Sequence, residues 1–138
     1  MEWKDGTPQR GDLIRTKVRF YYHYGIFLQE DTVVQFGLPD DPGRPAEEIR
    51  VLTSDVYTFL HGGELEVGVP SREEKKRMRP REEIAQTARS RVGEGGYDIL
   101  HRNCEHFANE CAFGEGHSSF VDGVRERIRL QLQKRKGN

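Results

Sequence analysis

The sequence contains no long apolar run. No stretch approaches the roughly 20 apolar residues that a membrane-spanning helix requires, and the N-terminal segment lacks the apolar region of a signal peptide. Only 34% of the residues are hydrophobic and 33% are charged, which indicates a thin core under a heavily ionised surface. The sequence therefore predicts a cytoplasmic protein that contacts a membrane at most peripherally.

An excess of charge of one sign is also absent. The 138 residues carry 22 basic and 23 acidic side chains, for a net charge of -1. Such a balance generates no global field toward nucleic acid, so we predict no nucleic-acid partner. The length predicts a single domain over residues 1–138.

Cysteine is scarce. The two cysteines, Cys104 and Cys111, are seven residues apart, which in one helix corresponds to about 10 Å along the axis. This separation is too long for a disulfide within a regular helix. Two free thiols are typical of a protein from a reducing compartment.

The first third of the chain has the pattern of β-structure. Residues typical of strands fill Asp12–Val18 and Phe20–Leu28, and Thr32–Phe36 follows a polar turn. The last two segments predict a hairpin. Because side chains alternate between the faces of a strand, His23 and Gln35 are expected on the same face of this hairpin.

The middle of the chain gives weaker signals. Turn-forming residues fill Gly37–Pro45, which predicts a surface loop. Short strands are predicted at Ile49–Leu52 and Leu65–Val69, whereas Val56–Leu60 between them has no clear pattern. The charged run Ser71–Arg79 offers little to bury and is interpreted as a solvated connector.

Helical spacing dominates the last third of the chain. One helix is predicted between Pro80 and Val92, and a second follows the favoured N-cap Asn103 and ends at Gly114. Residues 115–138 predict a third helix, amphipathic and basic. Packing on the sheet is its simplest interpretation, and contact with a membrane surface is the alternative. Together the elements predict an α+β fold, a small antiparallel sheet with packed helices.

The predicted chemistry lies at the start of the second helix. If Asn103 is the cap, Cys104 is the first helical residue, where backbone N–H groups and the helix dipole favour a thiolate. A nucleophilic thiol needs a base, and the imidazole of His23 is suited to take the proton and return it to a leaving group. The amide oxygen of Gln35 is suited to orient that ring. We therefore predict Cys104, His23 and Gln35 as catalytic residues that use no metal or cofactor.

Two segments resemble a known family: YDILHRNCEHFANECAFG at residues 97–114 and GDLIRTKVRFYYHYGIFL at residues 11–28. They look like the lecithin retinol acyltransferase-like family, which belongs with the NlpC-type peptidases of circularly permuted papain-like fold. The resemblance implies an acyltransferase or acyl hydrolase in which Cys104 is acylated by a phospholipid or similar lipid and His23 is the base. Twelve residues after that base, where the family commonly has a second histidine, this chain has Gln35.

Two other functions are compatible with the same residues. One is an NlpC-type cysteine peptidase or amidase, which uses the same thiol and base on a peptide. The other is a binding module that retains the fold without turnover, a hypothesis favoured by the uncharged Gln35. Cys111 is interpreted as a core residue, and His106 as structural because it diverges from Cys104 by about 200° around a helix. A zinc site that includes these residues and His117 does not match the usual ligand spacing.

Overall fold

One antiparallel β-sheet organises the protein, whose computed structural model describes residues 1–39, 43–114 and 119–136, with side chains at 125–134 in the last range. Within these residues six strands lie in the order β1-β6-β2-β3-β4-β5 across the sheet. The strands are β1 (Glu2–Lys4), β2 (Leu13–Val18), β3 (Tyr21–Gln29), β4 (Thr32–Phe36), β5 (Val51–Ser54) and β6 (Glu66–Val69). The predicted α+β fold with a small antiparallel sheet is confirmed.

Strands β2, β3 and β4 form the centre of the sheet, close to the predicted bounds. Side chains of β3 alternate between two hydrophobic clusters: Tyr24 and Ile26 pack on one face, and Phe27 packs on the other. Gly25 lies opposite Gln35 in the register of β3 and β4. The period-two pattern of the sequence therefore gives the correct facing for this region.

The described residues also contain five α-helices and a short 3-10 helix at Ala46–Glu48. The helices are α1 (Val56–Leu60), α2 (Arg72–Arg77), α3 (Arg81–Ser90), α4 (Cys104–Phe113) and α5 (Ser119–Lys136). The three predicted helices of the last third are confirmed as α3, α4 and α5. Gly114 ends α4 with a φ of 83°, a left-handed conformation that glycine adopts at no steric cost.

Helices α3 and α4 cover one face of the sheet. Their contribution to the core combines Ile84 and Phe107 with the small residues Ala85, Ala88 and Ala108. Because alanine side chains are short, the helices approach the strands closely, and α4 contacts both β3 and β4. This packing brings the start of α4 to the centre of the sheet.

The segment Val56–Leu60, which the sequence left undecided, forms α1 on the opposite face. Asp55 starts this helix, because its side chain accepts a hydrogen bond of 2.7 Å from the N–H of Thr58. Phe59 is fully buried there with the apolar residues of the second cluster. Helix α1 therefore places an aromatic side chain beneath β3 and β4.

The interpretation of Ser71–Arg79 as a mere connector is wrong, since it contains α2. Ser71 Oγ accepts from the N–H of Glu74 at 3.1 Å, and Glu74 Oε1 accepts from the N–H of Ser71 at 2.9 Å. This reciprocal capping box is visible in the sequence as Ser-x-x-Glu. No residue of α2 is buried, so the segment is solvated as predicted.

Helix α5 lies within the predicted C-terminal helix, residues 115–138. Its predicted packing on the sheet is wrong for the described side chains, because every one from Arg125 to Lys134 is exposed. Ile128 is 53% exposed and Leu132 51%. The other two members of the predicted apolar stripe, Val121 and Val124, lie outside the described side chains. In the part of the chain that the structure describes, no helix has the length and apolar composition needed to cross a bilayer.

Candidate active site

The start of α4 is built by a capping box. The side-chain Oδ1 of Asn103 accepts from the backbone N–H groups of Glu105 and His106, each at 3.0 Å. In return, Nδ1 of His106 accepts from the N–H of Asn103 at 3.0 Å. The predicted N-cap and the structural role of His106 are both confirmed. These contacts fix Cys104 as the first residue of the helix.

Cys104 lies at the contact between α4 and β3 and is only 7% exposed. Burial raises the pKa of its thiol to about 11, and the negative charge of Glu105 adds to the rise. The backbone N–H groups of Tyr24, Cys104 and Glu105 face the sulfur and lower the pKa, but by less. The helix start favours a thiolate as predicted, but burial outweighs it and keeps the pKa raised. The contact with Tyr24 places the sulfur beside the residue that follows His23.

The raised pKa predicts how Cys104 reacts with a neutral alkylating reagent. Only the thiolate attacks, so we expect the rate of iodoacetamide labelling of a Cys111→Ala variant to rise about tenfold per pH unit from neutrality past pH 9. Mass spectrometry of the labelled protein measures this rate, with Cys104→Ala as the blank. A plateau reached below pH 8 would instead indicate a thiolate–imidazolium pair and contradict the burial argument.

His23 lies on β3 opposite Thr16 of β2 and is only 3% exposed. Its Nε2 is 2.7 Å from Oε1 of Gln35, which is fully buried on the neighbouring strand β4. The ring also packs against that of Phe59, with centroids 5.2 Å apart. The structure thus brings together the predicted His23 and Gln35 and holds the imidazole on two sides.

A chain of hydrogen bonds fixes the tautomer of His23. Nε2 of Gln35 donates to Ser54 Oγ at 2.5 Å, and that hydroxyl donates to the carbonyl of Asp55 at 2.9 Å. The amide nitrogen is thereby directed away from the histidine, and the amide oxygen that faces the ring only accepts. In its neutral form His23 therefore carries its proton on Nε2 and a lone pair on Nδ1, which is the arrangement of a base.

Gly25 makes room for the aromatic support of His23. A Cβ at this position would lie 2.8 Å from Cε2 of Phe59 and 2.9 Å from Cγ1 of Val33. Glycine therefore allows Phe59 to approach the strand. No local pattern of the sequence predicts a role for Phe59 or Ser54, which lie on elements distant along the chain.

A polar cluster beside Cys104 has no signal in the sequence. The hydroxyl of the buried Tyr24 is hydrogen-bonded to Glu105 and Arg15, and burial first and Glu105 second raise its pKa. Arg15 in turn forms an ion pair of 2.6 Å with Glu66. The cluster ties the first turn of α4 to β2 and β3 through side chains that no local pattern relates. The cluster therefore helps to fix the position of Cys104 relative to β2 and β3.

The remaining candidates from the sequence lie elsewhere. Cys111 is fully buried in the core between α3 and α4, and burial raises the pKa of its thiol to about 11, as expected of a packing residue. His117, named in the weighed zinc site, lies outside the described residues. Among the residues that are described, no group of three or more histidine, cysteine or acidic side chains is arranged to hold a metal ion.

Comparison with known proteins identifies related sequences. A family model described as lecithin retinol acyltransferase matches residues 6–117. The bovine protein named lecithin retinol acyltransferase is 30% identical over 90% of this chain and 63% of its own length. The human protein named phospholipase A and acyltransferase 3 is 29% identical over 85% of this chain and 78% of its own length. The chain thus spans less than two thirds of the bovine relative.

Proposed function

Since the chain belongs to the lecithin retinol acyltransferase family, we propose that it is a cysteine-dependent acyltransferase or acyl hydrolase acting through a Cys104 thioester. The acyl donor is a lipid, most simply a phospholipid, as the names of the relatives suggest. Cys104 is the nucleophile, His23 the base and Gln35 the residue that orients the base. The proposed reaction uses these three side chains and no metal or cofactor.

One observation carries this proposal. The Cys104 thiol faces the backbone N–H of Tyr24, next to a histidine whose Nε2–H is held by Gln35. A buried thiol held against the residue that follows a histidine of fixed tautomer supplies the two groups that a thiol nucleophile needs. The raised pKa of the thiol fits a mechanism in which proton removal accompanies attack on the substrate.

In the first step, His23 Nδ1 takes the thiol proton as the sulfur attacks the acyl carbonyl carbon. A C–S bond forms and the carbonyl electrons move to oxygen. The backbone N–H of Cys104, at the start of α4, is suited to stabilise this oxyanion. The intermediate collapses, the ester C–O bond breaks, and the imidazolium returns its proton to the departing alkoxide. The enzyme is left as a thioester.

In the second step, His23 removes a proton from water or from an acceptor hydroxyl or amine. The oxygen or nitrogen attacks the thioester carbonyl, the C–S bond breaks, and the thiol regains its proton. Gln35 holds the ring through both steps without charge, so it stabilises the imidazolium less than a carboxylate would. Water as the acceptor gives hydrolysis, and a lipid amine or hydroxyl gives transfer.

The substrate class is tested by comparing donors. The purified chain is incubated with phosphatidylcholine in mixed micelles, with and without an amine acceptor, and with peptide and isopeptide substrates. Release of fatty acid or formation of an acylated amine supports the proposal. Cleavage of the peptides without action on the lipid supports an NlpC-type peptidase, and inactivity on all donors supports a binding module that retains the fold.

Gln35 gives a prediction specific to this chain. Gln35→Leu keeps the volume but removes the acceptor that fixes the His23 tautomer, so we expect kcat to fall about ten- to a hundredfold with little change in KM. Gln35→Glu places a negative charge beside the ring and raises the histidine pKa, so the acidic limb of the kcat/KM profile moves to higher pH. Steady-state kinetics across pH measure both effects.

Ser54→Ala is the matched control for Gln35, since it removes the next hydrogen bond in the chain and leaves the His23–Gln35 contact intact. We expect a smaller fall in kcat than for Gln35→Leu. Equal activity of Gln35→Leu and the wild type would contradict the orienting role.

The proposal includes peripheral contact of a cytoplasmic protein with a membrane through α5. Ile128 and Leu132 lie four residues apart, so they share one side of the helix and stay half exposed. Arg125 and Arg129 nearby suit lipid headgroups. The exposed apolar side chains of this helix support such a contact.

A further inference from the structure

The turn between β2 and β3 exposes a bulky aromatic residue. Val18 pairs with Tyr21 in the antiparallel register, so Arg19 and Phe20 alone form the two-residue loop. Phe20 is 96% exposed, the highest value among the exposed large hydrophobic residues. A side chain of this size gains nothing for folding when it stands in water. We call the segment Lys17–Phe20 the hairpin tip.

The backbone of the hairpin tip is equally unsuited to a purely structural turn. Arg19 has a φ of 54°, in the left-handed region that glycine and asparagine prefer in two-residue hairpin loops. An arginine in this conformation is strained, and strain of this kind concentrates at sites with a function. The turn consists of a cation and an aromatic residue, although glycine and a polar residue would give a more stable two-residue turn.

The hairpin tip itself carries two cations beside a cleft. A cleft of about 530 Å³ lies beside it, bordered by residues 17–21, by Pro39 and by the turn His61–Gly63. Among the described residues that line this cleft, Lys17 and Arg19 are cationic and none is acidic, and Glu64 comes next along the chain. An exposed aromatic ring that follows two cations is complementary to an anionic lipid surface.

We infer that the hairpin tip inserts Phe20 into an anionic lipid surface while Lys17 and Arg19 bind the headgroups. The inference rests on the proposed function and deepens it, because it states how the site meets a lipid donor. His23 follows Phe20 by three residues, or roughly 10 Å along an extended strand. Insertion of Phe20 therefore holds the candidate base within roughly 10 Å of the glycerol ester bonds, which lie between the headgroups and the acyl chains.

Vesicle binding tests the inference directly. The full chain is mixed with vesicles of three parts phosphatidylcholine to one part phosphatidylserine, and the bound fraction is measured by flotation. We expect Phe20→Ser to weaken binding roughly ten- to a hundredfold, the value for burial of one phenylalanine. Arg19→Gly removes one charge and suits the left-handed φ, so it folds at least as well and weakens binding only to vesicles that contain phosphatidylserine.

The matched control is Val69→Ser, an exposed apolar residue on β6 beyond the pairing with Ile14, at the other end of β2. It is expected to bind like the wild type. Unchanged binding of Phe20→Ser, or binding that depends on Ile128 and Leu132 of α5 instead, overturns the inference. An equal loss in Phe20→Ser and Val69→Ser overturns it as well.

Insertion depth gives an independent readout. The wild type contains a single tryptophan, Trp3, which packs against Tyr24 with ring centroids 5.7 Å apart. A Phe20→Trp variant in a Trp3→Phe background places the fluorophore at the hairpin tip instead. We expect lipids brominated on their acyl chains to quench this tryptophan more strongly than Trp3 of the wild type, and equal quenching contradicts insertion.

Failure of the inference is distinguishable from failure of the proposed function. The Cys104→Ala variant lacks the nucleophile and is expected to bind vesicles like the wild type. If it binds and Phe20→Ser does not, the hairpin tip is a membrane contact whether or not the chain turns over phospholipid. If phospholipid is turned over while Phe20→Ser binds normally, the proposed function stands and the inference fails.

Discussion

Replacing Cys104 by alanine is expected to abolish turnover of the lipid donor, with kcat lowered on the order of a thousandfold or more. Without the sulfur, no thioester forms, and nothing else in the described site replaces a covalent step. Cys104→Ser keeps the shape of the side chain but offers a hydroxyl that lacks the nucleophilicity of a thiol. Both variants keep the Asn103 cap, so the fold is expected to persist with at most the small loss of stability that removal of a buried sulfur causes. Fatty-acid release and thermal unfolding are the two measurements.

Cys111 supplies the matched control, since it is the second cysteine of the same helix and lies in the core. Cys111→Ala is expected to retain catalysis and to lose some stability, because a small cavity replaces the sulfur. Retention of activity by Cys104→Ala, or its loss in a folded Cys111→Ala, contradicts the assignment of the nucleophile.

The second large effect is expected at His23. His23→Ala removes the proposed base for a thiol whose pKa is raised to about 11, and we expect kcat/KM to fall roughly a hundred- to ten-thousandfold. Because hydroxide then takes over proton removal, the residual rate rises with pH and the acidic limb that the histidine gives the wild type is lost. Steady-state kinetics over a range of pH values measure both effects.

His101 is the control for this prediction. It is an exposed histidine whose ring contacts Asp98 in the loop before α4. His101→Ala is expected to keep the wild-type pH profile. A His23→Ala variant that preserves both the rate and the acidic limb would show that another group is the base.

Local signals in the sequence predict helix α4 well. Asn103 begins α4 and Gly114 ends it through contacts that span only a few residues, so the residue types alone predict both ends. The alternation in β3 likewise predicts which side of the strand His23 takes. The pairing with Gln35 follows from a tight hairpin, whose register is set within a dozen residues.

Local sequence patterns do not predict the contacts of the site that join segments distant along the chain. Ser54 on β5 accepts a hydrogen bond from Gln35, which lies nineteen residues earlier in the chain. Phe59 of α1 packs against His23 from the face of the sheet opposite to α4. The thiol pKa is a further example, because the helix start favours a thiolate but the depth of burial decides the outcome. Burial depends on how α3, α4 and the sheet pack, which no short segment encodes.

In the proposed reaction the sulfur of Cys104 carries the acyl group as a covalent intermediate. The most direct test of this assignment is intact-protein mass spectrometry after brief incubation with a phospholipid of one defined acyl chain, followed by proteolysis at low pH to preserve the thioester. We predict a mass increase equal to one acyl group, located on the peptide that contains Cys104 and absent in Cys104→Ala. The same adduct in Cys104→Ala, or an adduct on Cys111, would contradict it.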